Sequence, residues 1–295
     1  MIDIDHLRQW IGRTDESDDL VTASAAGGLA ATLDRREPRP RNGDPLPPLA
    51  HWLFFLAQAP QSELDGDGHP KRGGFLPPVP LPRRMFAGAR MQFHAPLRIG
   101  ESIRRISRIA NVCHKEGRSG VLVFVLVHHD IHAGGELRVT EEQDIVYRDE
   151  APAAPAAAPS STVTESPAAA TELPGHWRRR ILPDPVMLFR FSALTFNGHR
   201  IHYDRPYAMG TEGYPGLVVH GPLTAMLLAD LCRRARPDAA IERFSFRAVR
   251  PIFDTAPFHI EGLPDAQGRT VQLRARNPDG SVAMEAEAQF AAAAR

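Results

Sequence analysis

The chain is poor in cysteine. Cys113 and Cys232 are the two it has among 295 residues, too few for a disulfide framework, and free thiols suit a reducing cytosol. It has no excess charge of one sign: Lys+Arg and Asp+Glu are both 35, so the net charge is zero. That removes the global field a nucleic-acid-binding protein uses and leaves room for a local basic pocket. No apolar run approaches the roughly 20 residues that span a bilayer. The opening MIDIDHLRQW is acidic and lacks an apolar core, so no secretory signal is visible. The expectation is a cytoplasmic protein with neither a membrane nor a nucleic acid as partner. The histidines at 128, 129 and 132 lack a metal-ligand spacing and read as strand-end residues, so no metal is expected.

The 295 residues suffice for two domains, and 43% hydrophobic content is ordinary for a globular chain. Residues 151–175, rich in Ala, Pro, Ser and Thr, cannot build a core and read as a linker. The expected division is 1–150, linker, and 176–295. In the first part, Ile4 to Ile11 suggest a polar-faced helix, followed by a loose Ala/Gly segment to about residue 35. Leu49, Trp52, Leu53 and Leu56 repeat a helical stripe after Pro47 and Pro48, a candidate central helix. Residues 60–84 are loop-like and proline-rich, the composition of a functional rim or of a solvated connector. Arg83 and Arg84 close this segment and could bind a phosphate or carboxylate.

Met91 to Arg148 read as strands: Val121–Val127 is a continuous β-rich run, and Gly134-Gly135 marks a hairpin. The second part repeats the order of helix, aromatic-basic strand and Gly-marked hairpin, ending in a strand with Val282, Met284, Ala286, Ala288 and Phe290 on one side. Helix followed by antiparallel strands, twice, indicates an α+β arrangement.

The densest polar cluster is Asn197, His199, Arg200, His202, Tyr203 and Asp204. A glycine-rich turn, Gly210 to Gly216, follows it. Then His220-Gly221-Pro222 leads into Leu223, Met226, Leu227 and Leu231, the stripe of a one-faced helix. Pro222 suits the first helical position. Gly221 at the helix start offers an unpaired N–H and lets a ligand approach the backbone. His202 is a candidate acid–base group, and Asn197 is an amide able to hold a water. Most of the other histidines read as hydrogen-bonded structural residues.

Phe196-Asn197-Gly198-His199-Arg200-Ile201-His202, followed by Val219-His220-Gly221, resembles the motifs of the MaoC-like, or hydratase 2, family of hotdog-fold enoyl-thioester hydratases and dehydratases. The form SALTFNGHRIHYD is most similar to a subgroup that includes mesaconyl-C4-CoA (3-methylfumaryl-CoA) hydratase and hydroxyacyl-thioester dehydratase type 2. His202 matches the family's catalytic histidine and Gly221 the glycine whose amide binds the thioester carbonyl. The family's catalytic aspartate falls on Asn197, while His199 and Arg200 replace its Asn-Pro.

The resemblance implies a double hotdog: two units, each a long helix wrapped by an antiparallel sheet. The C-terminal unit would be catalytic. The N-terminal one has no Asn/Asp-x4-His motif and would only shape an acyl or CoA pocket. It implies reversible hydration of an enoyl-CoA, best mesaconyl-C4-CoA, giving a citramalyl- or malyl-type 3-hydroxyacyl-CoA. The alternatives it leaves open are a 3-hydroxyacyl-thioester dehydratase of fatty acid metabolism, an itaconyl-CoA hydratase, a hotdog thioesterase and a non-catalytic acyl-CoA-binding protein. Acyl-CoA is the expected partner, with no cofactor beyond the CoA of the substrate, and a homodimer is the candidate assembly. Asn197, His202 and Gly221 would be catalytic, with Asp204 a candidate to orient His202. Arg83, Arg84, His199, Arg200, Tyr203 and His220 would bind substrate, Arg200 by pairing with a free carboxylate and Arg83 or Arg84 by meeting CoA phosphates.

Overall fold

A computed structural model of the protein describes residues 2–117, 120–149 and 175–292. The expected linker lies outside them except for Gly175. Among the described residues the strands are β1 (Thr14–Leu20), β2 (Arg83–Phe93), β3 (Ser102–Gly117), β4 (Gly120–Ala133), β5 (Glu136–Arg148), β6 (Trp177–Ile181), β7 (Ile241–Ala248), β8 (Phe258–Pro264), β9 (Thr270–Arg276) and β10 (Val282–Phe290). They form one antiparallel sheet in the order β1-β3-β4-β5-β2-β7-β10-β9-β8-β6. The first five run 1-3-4-5-2. Numbered from β6, the second five repeat that order in mirror sequence across the β2–β7 seam. At the seam Gly88 lies opposite Arg247 and Met91 opposite Phe244. A Cβ on Gly88 would stand 2.6 Å from the Phe246 carbonyl oxygen, so the two units meet closely through glycine.

Local chemistry accounts for much of this. The β4–β5 hairpin turns on Gly134 and Gly135, both at positive φ (59° and 81°), the requirement of a tight two-residue hairpin turn. β1, TDESDDL, has few good strand formers, but it lies beside an arginine-bearing strand: Asp18 takes Arg104 at 2.7 Å. Opposite charges across a pair stabilise a strand that propensity disfavours.

The helices are α1 (Ile4–Arg8), α2 (Ala23–Thr32), α3 (Pro185–Leu194), α4 (Arg205–Gly210) and α5 (Gly221–Ala235). Two of them correct the sequence expectation. The loose Ala/Gly segment is largely α2, capped by the Thr22 side chain. Its glycines are used for close packing, since a Cβ on Gly28 would lie 2.6 Å from Leu194 Cδ2 of α3. α5 is not one-faced: every residue from Leu223 to Cys232 is buried, the pattern of a helix enclosed on all sides. Its buried Asp230 binds Arg35 at 2.7 Å, Arg234 at 2.6 Å and Arg179 at 3.3 Å. These bonds tie the end of α5 to the tail of α2 and to β6.

The candidate central helix at 49–56 is a further correction. Ala50–Leu53 form one 3-10 turn between Leu49 (φ 68°) and Phe55 (φ 56°), both left-handed. The apolar spacing is real, but the backbone reverses at both ends, and the Trp52 indole N–H is spent on Glu141 Oε1 at 2.8 Å. The N-terminal unit therefore has no long wrapped helix among the described residues.

Candidate active site

The motif turn hangs from the end of α3. Asn197 N–H donates to Ser192 O at 2.8 Å, and Asn197 Oδ1 accepts the His199 N–H at 3.0 Å. This Asx-type turn starts the short 3-10 turn Arg200–His202. His202 is buried, with Nδ1 2.7 Å from Val218 O. A carbonyl can only accept, so Nδ1 carries the hydrogen and Nε2 keeps its lone pair. The expected orienting group, Asp204, does something else: it caps α4 at Tyr207 N–H (3.1 Å) and binds Arg200 (2.8 Å).

Four imidazoles adjoin one another in sequence. His69 lies 4.1 Å from His199, His199 lies 5.4 Å edge-on to His202, and His202 stacks at 3.7 Å on His220 (centroid distances). His220 is the N-cap of α5, so the stack sets His202 against the helix start and Gly221. His220 Nε2 meets Ser192 Oγ at 2.9 Å, and its buried Nδ1 has no partner. Burial pushes His199 and His202 down to about 3, helped by neighbouring histidines, and drives His220 well below its ordinary value. His199, His202 and His220 are therefore neutral at neutral pH, the state in which His202 Nε2 can accept a proton.

The first of these rings comes from the other unit. Residues 65–70 cross to the motif turn: Arg200 N–H donates to Asp67 O at 2.9 Å and Arg200 Nη1 to Gly66 O at 3.0 Å. A Cβ on Gly68 (φ 91°) would fall 1.9 Å from Gly198 O. Only glycine fits there in both shape and φ. Asp67 Oδ2 accepts from His69 Nδ1 at 2.9 Å. Burial works to raise the Asp67 carboxyl, but its bonds from His69 prevail and hold it well below the usual carboxylate range. His69 is lowered by burial despite Asp67. Asp67, His69 and His199 bring one ligand atom each within 4.8 Å of one another. Within this group Asp67 accepts from His69, and we read the pair as acid–base chemistry. Sequence reasoning took DGDGHP as loop and missed both residues. The signal present was a histidine inside a Gly-rich turn ended by proline.

A cleft of about 1610 Å³ opens beside this cluster, lined by Asn197, Tyr203, His69, Arg84, Phe86 and Pro222 among others. It extends over the N-terminal unit, where Ser107, His129 and Glu141 share one rung of β3, β4 and β5. Glu141 accepts from His51 at 2.9 Å, Trp52 at 2.8 Å and Gln143 at 2.9 Å. Burial, the largest single influence, would raise its carboxyl, but His51, His129 and Gln143 together take it down to about 2. Burial takes His129 down to about 4.

The substrate-binding candidates divide. Arg83 and Arg84 point to opposite faces of β2, as neighbours on a strand must. Arg83 is bound to Glu212 (3.3 Å) and lies over Tyr214, away from the cleft, whereas Arg84 lines the cleft opposite Tyr147. Arg200 lines the cleft, bound to Asp204 at 2.8 Å and stacked 4.1 Å over Tyr207. Tyr203 lines the cleft with its hydroxyl on Gly198 O at 2.9 Å. His220 is buried and stacks on His202 at 3.7 Å.

The model for "hydroxyacyl-thioester dehydratase type 2" matches residues 49–254. This chain belongs to the hydroxyacyl-thioester dehydratase type 2 family. It is 52% identical over 283 residues to mesaconyl-C(4)-CoA hydratase of Chloroflexus aurantiacus, covering 95% of this chain and 96% of that one. Among solved structures, a MaoC-like dehydratase superposes with a TM-score of 0.71 at 16% identity, covering 95% and 98% of the two chains. A Mycobacterium tuberculosis protein described as a double hotdog superposes at 0.57 with 13% identity, covering 95% and 96%. The fold of this family member is a double hotdog of α+β class in which, among the described residues, only the C-terminal unit encloses a long helix. No helix among its described residues is long and apolar enough to cross a membrane.

Proposed function

We propose that this protein hydrates mesaconyl-C4-CoA, adding water across the double bond to give a citramalyl-type 3-hydroxyacyl-CoA. The observation that carries the reading is 52% identity along 95% of the chain to a hydratase of that name. The local chemistry supports a mechanism. Water held by Asn197 adds to the β-carbon, and His202 Nε2 takes its proton. Electron density moves to the thioester oxygen, where the Gly221 N–H, one of the unpaired donors at the start of α5, stabilises the enolate. Protonation of the α-carbon completes the addition. Asn197 has no useful titration, so its part is to position. CoA enters as part of the substrate, and no separate cofactor takes part. The free cysteines Cys113 and Cys232 support a reducing, cytoplasmic setting.

Mesaconyl-C4-CoA carries a free carboxylate on the β-carbon. Among the cleft-lining cations we assign Arg84 to it: Arg200 is paired with Asp204, Lys71 and Arg72 donate to backbone carbonyls, and Arg105 lies over Phe55. A fatty-acyl dehydratase reading is less favoured, because the cleft floor holds Glu141, His51 and His129 where a long alkyl chain needs apolar walls.

The test follows enoyl absorbance and thiol release with mesaconyl-C4-CoA and crotonyl-CoA. Loss of the enoyl band without free thiol is expected. Thiol release would mean a thioesterase, and no reaction a binding protein. His202→Ala should lower kcat by about a hundred- to ten-thousandfold.

A further inference from the structure

The motif in this chain lacks the carboxylate of its wider family at Asn197, yet a carboxylate and an imidazole arrive from the opposite unit. Asp67 and His69 sit on a loop fastened to the motif turn at three points: Asp67 O to Arg200 N–H, Gly66 O to Arg200 Nη1, and the Gly68–Gly198 contact. His69 Nδ1 is bound to Asp67, and no hydrogen bond engages its Nε2 among the described residues. Of the four adjoining histidines, His69 is the one among the residues lining the cleft. A histidine held by a carboxylate through one nitrogen, with the other free toward a cleft, is the arrangement of a proton-transfer residue.

We propose that His69, oriented by Asp67, is a second catalytic residue of the hydration site, contributed by the N-terminal unit, and that it delivers the proton to the α-carbon. The proposal rests on the hydratase reading. In each turnover the water oxygen bonds to the β-carbon and its proton goes to His202 Nε2. The enolate collapses as the α-carbon takes the proton of the His69 imidazolium. The proton on His202 then returns to His69 through His199, whose ring touches both. One water is consumed, one C–O and one C–H bond form, and the histidines end as they began. Burial opposes the charged form of His69 that this step needs, and Arg84 and Arg72 add to that, while Asp67 favours it through its hydrogen bond and charge.

His69→Gln and Asp67→Asn preserve size, and circular dichroism verifies their folding. His69→Gln should lower kcat about a hundredfold while KM for the thioester changes little. Asp67→Asn should lower kcat less and move the basic limb of kcat/KM to lower pH. Removing the negative neighbour lowers the pH at which His69 loses its proton, and an acid works only while protonated. His202→Ala is the reference. If it is inactive while His69→Gln turns over like wild type, or if Asp67→Asn leaves the basic limb unmoved, the second residue is rejected and the hydratase reading stands. If wild-type protein hydrates neither mesaconyl-C4-CoA nor crotonyl-CoA, both fall together.

Discussion

The two units share a strand order and differ in what lies on their buried faces. In the C-terminal unit, Phe258, Ile260, Leu273, Ala275 and Ala288 are fully buried, and α5 lies over their strands. In the N-terminal unit the equivalent strands β3, β4 and β5 carry Ser107, His129 and Glu141, and the cleft lies where a helix would be. One unit excludes water with a helix buried on every side from Leu223 to Cys232. The other leaves a polar-floored space that the first unit's motif borders. The helix start offers fixed N–H groups and the cleft offers space beside it, so the proposed site draws on both halves.

Three expectations sharpen that contrast, beginning with the largest. Glu141→Ala should destabilise the fold by about 3–5 kcal/mol, because it strands the buried His51 and Trp52 donors. Leu227→Ala, at a position with no exposure in α5, should cost about 2–5 kcal/mol through lost transfer energy and a cavity. Urea unfolding measures both. A loss below about 1 kcal/mol for Glu141→Ala would mean that water already satisfies the cleft floor, and the contrast between the units would weaken.

Next comes the arginine pair. Arg84→Gln should lower kcat/KM for mesaconyl-C4-CoA roughly ten- to hundredfold, the loss of a charged hydrogen bond, and leave crotonyl-CoA, which has no second carboxylate, nearly unchanged. Arg83→Gln should affect neither. Equal losses with both thioesters would assign Arg84 to the CoA phosphates, since such contacts are uniform binding.

The smallest is a slope. His129 in one unit and His199 and His202 in the other titrate lower in the fold than in the unfolded chain, at about 4, 3 and 3. Between their ordinary value near 6.5 and about 4, the unfolded chain binds more protons, so stability rises with pH and is lost on acidification. Each group contributes at most about 1.4 kcal/mol per pH unit. His129→Gln should flatten the Tm–pH curve between pH 6.5 and 4 by one such share. An unchanged curve would show that acid unfolding begins in the C-terminal unit alone.

Much of this was legible in the chain. The β-rich run at 121–127, the Gly134-Gly135 turn and the alternating last strand are local patterns, and backbone geometry turns them into strands without help. FNGHRIH and VHG put an acid–base residue and a helix start in one stretch, and the fold brings His202 to His220 as that stretch implies. The second central helix was misjudged because periodicity reports which residues are apolar and not whether the backbone continues, and Leu49 and Phe55 reverse it. The acidic β1 was missed because its support is the arginines of β3, about ninety residues away.

The sequence by itself determined the strand set, the start of α5 and the motif, because each rests on neighbours within a few residues. Tertiary structure alone decided which arginine faces the cleft, that Val218 O and not Asp204 orients His202, and that Asp67 and His69 meet His199. Those depend on chain segments 16 to 134 residues apart being pressed together by the burial of α5 and closure of the β2–β7 seam. Non-local packing of this kind leaves no period in a sequence.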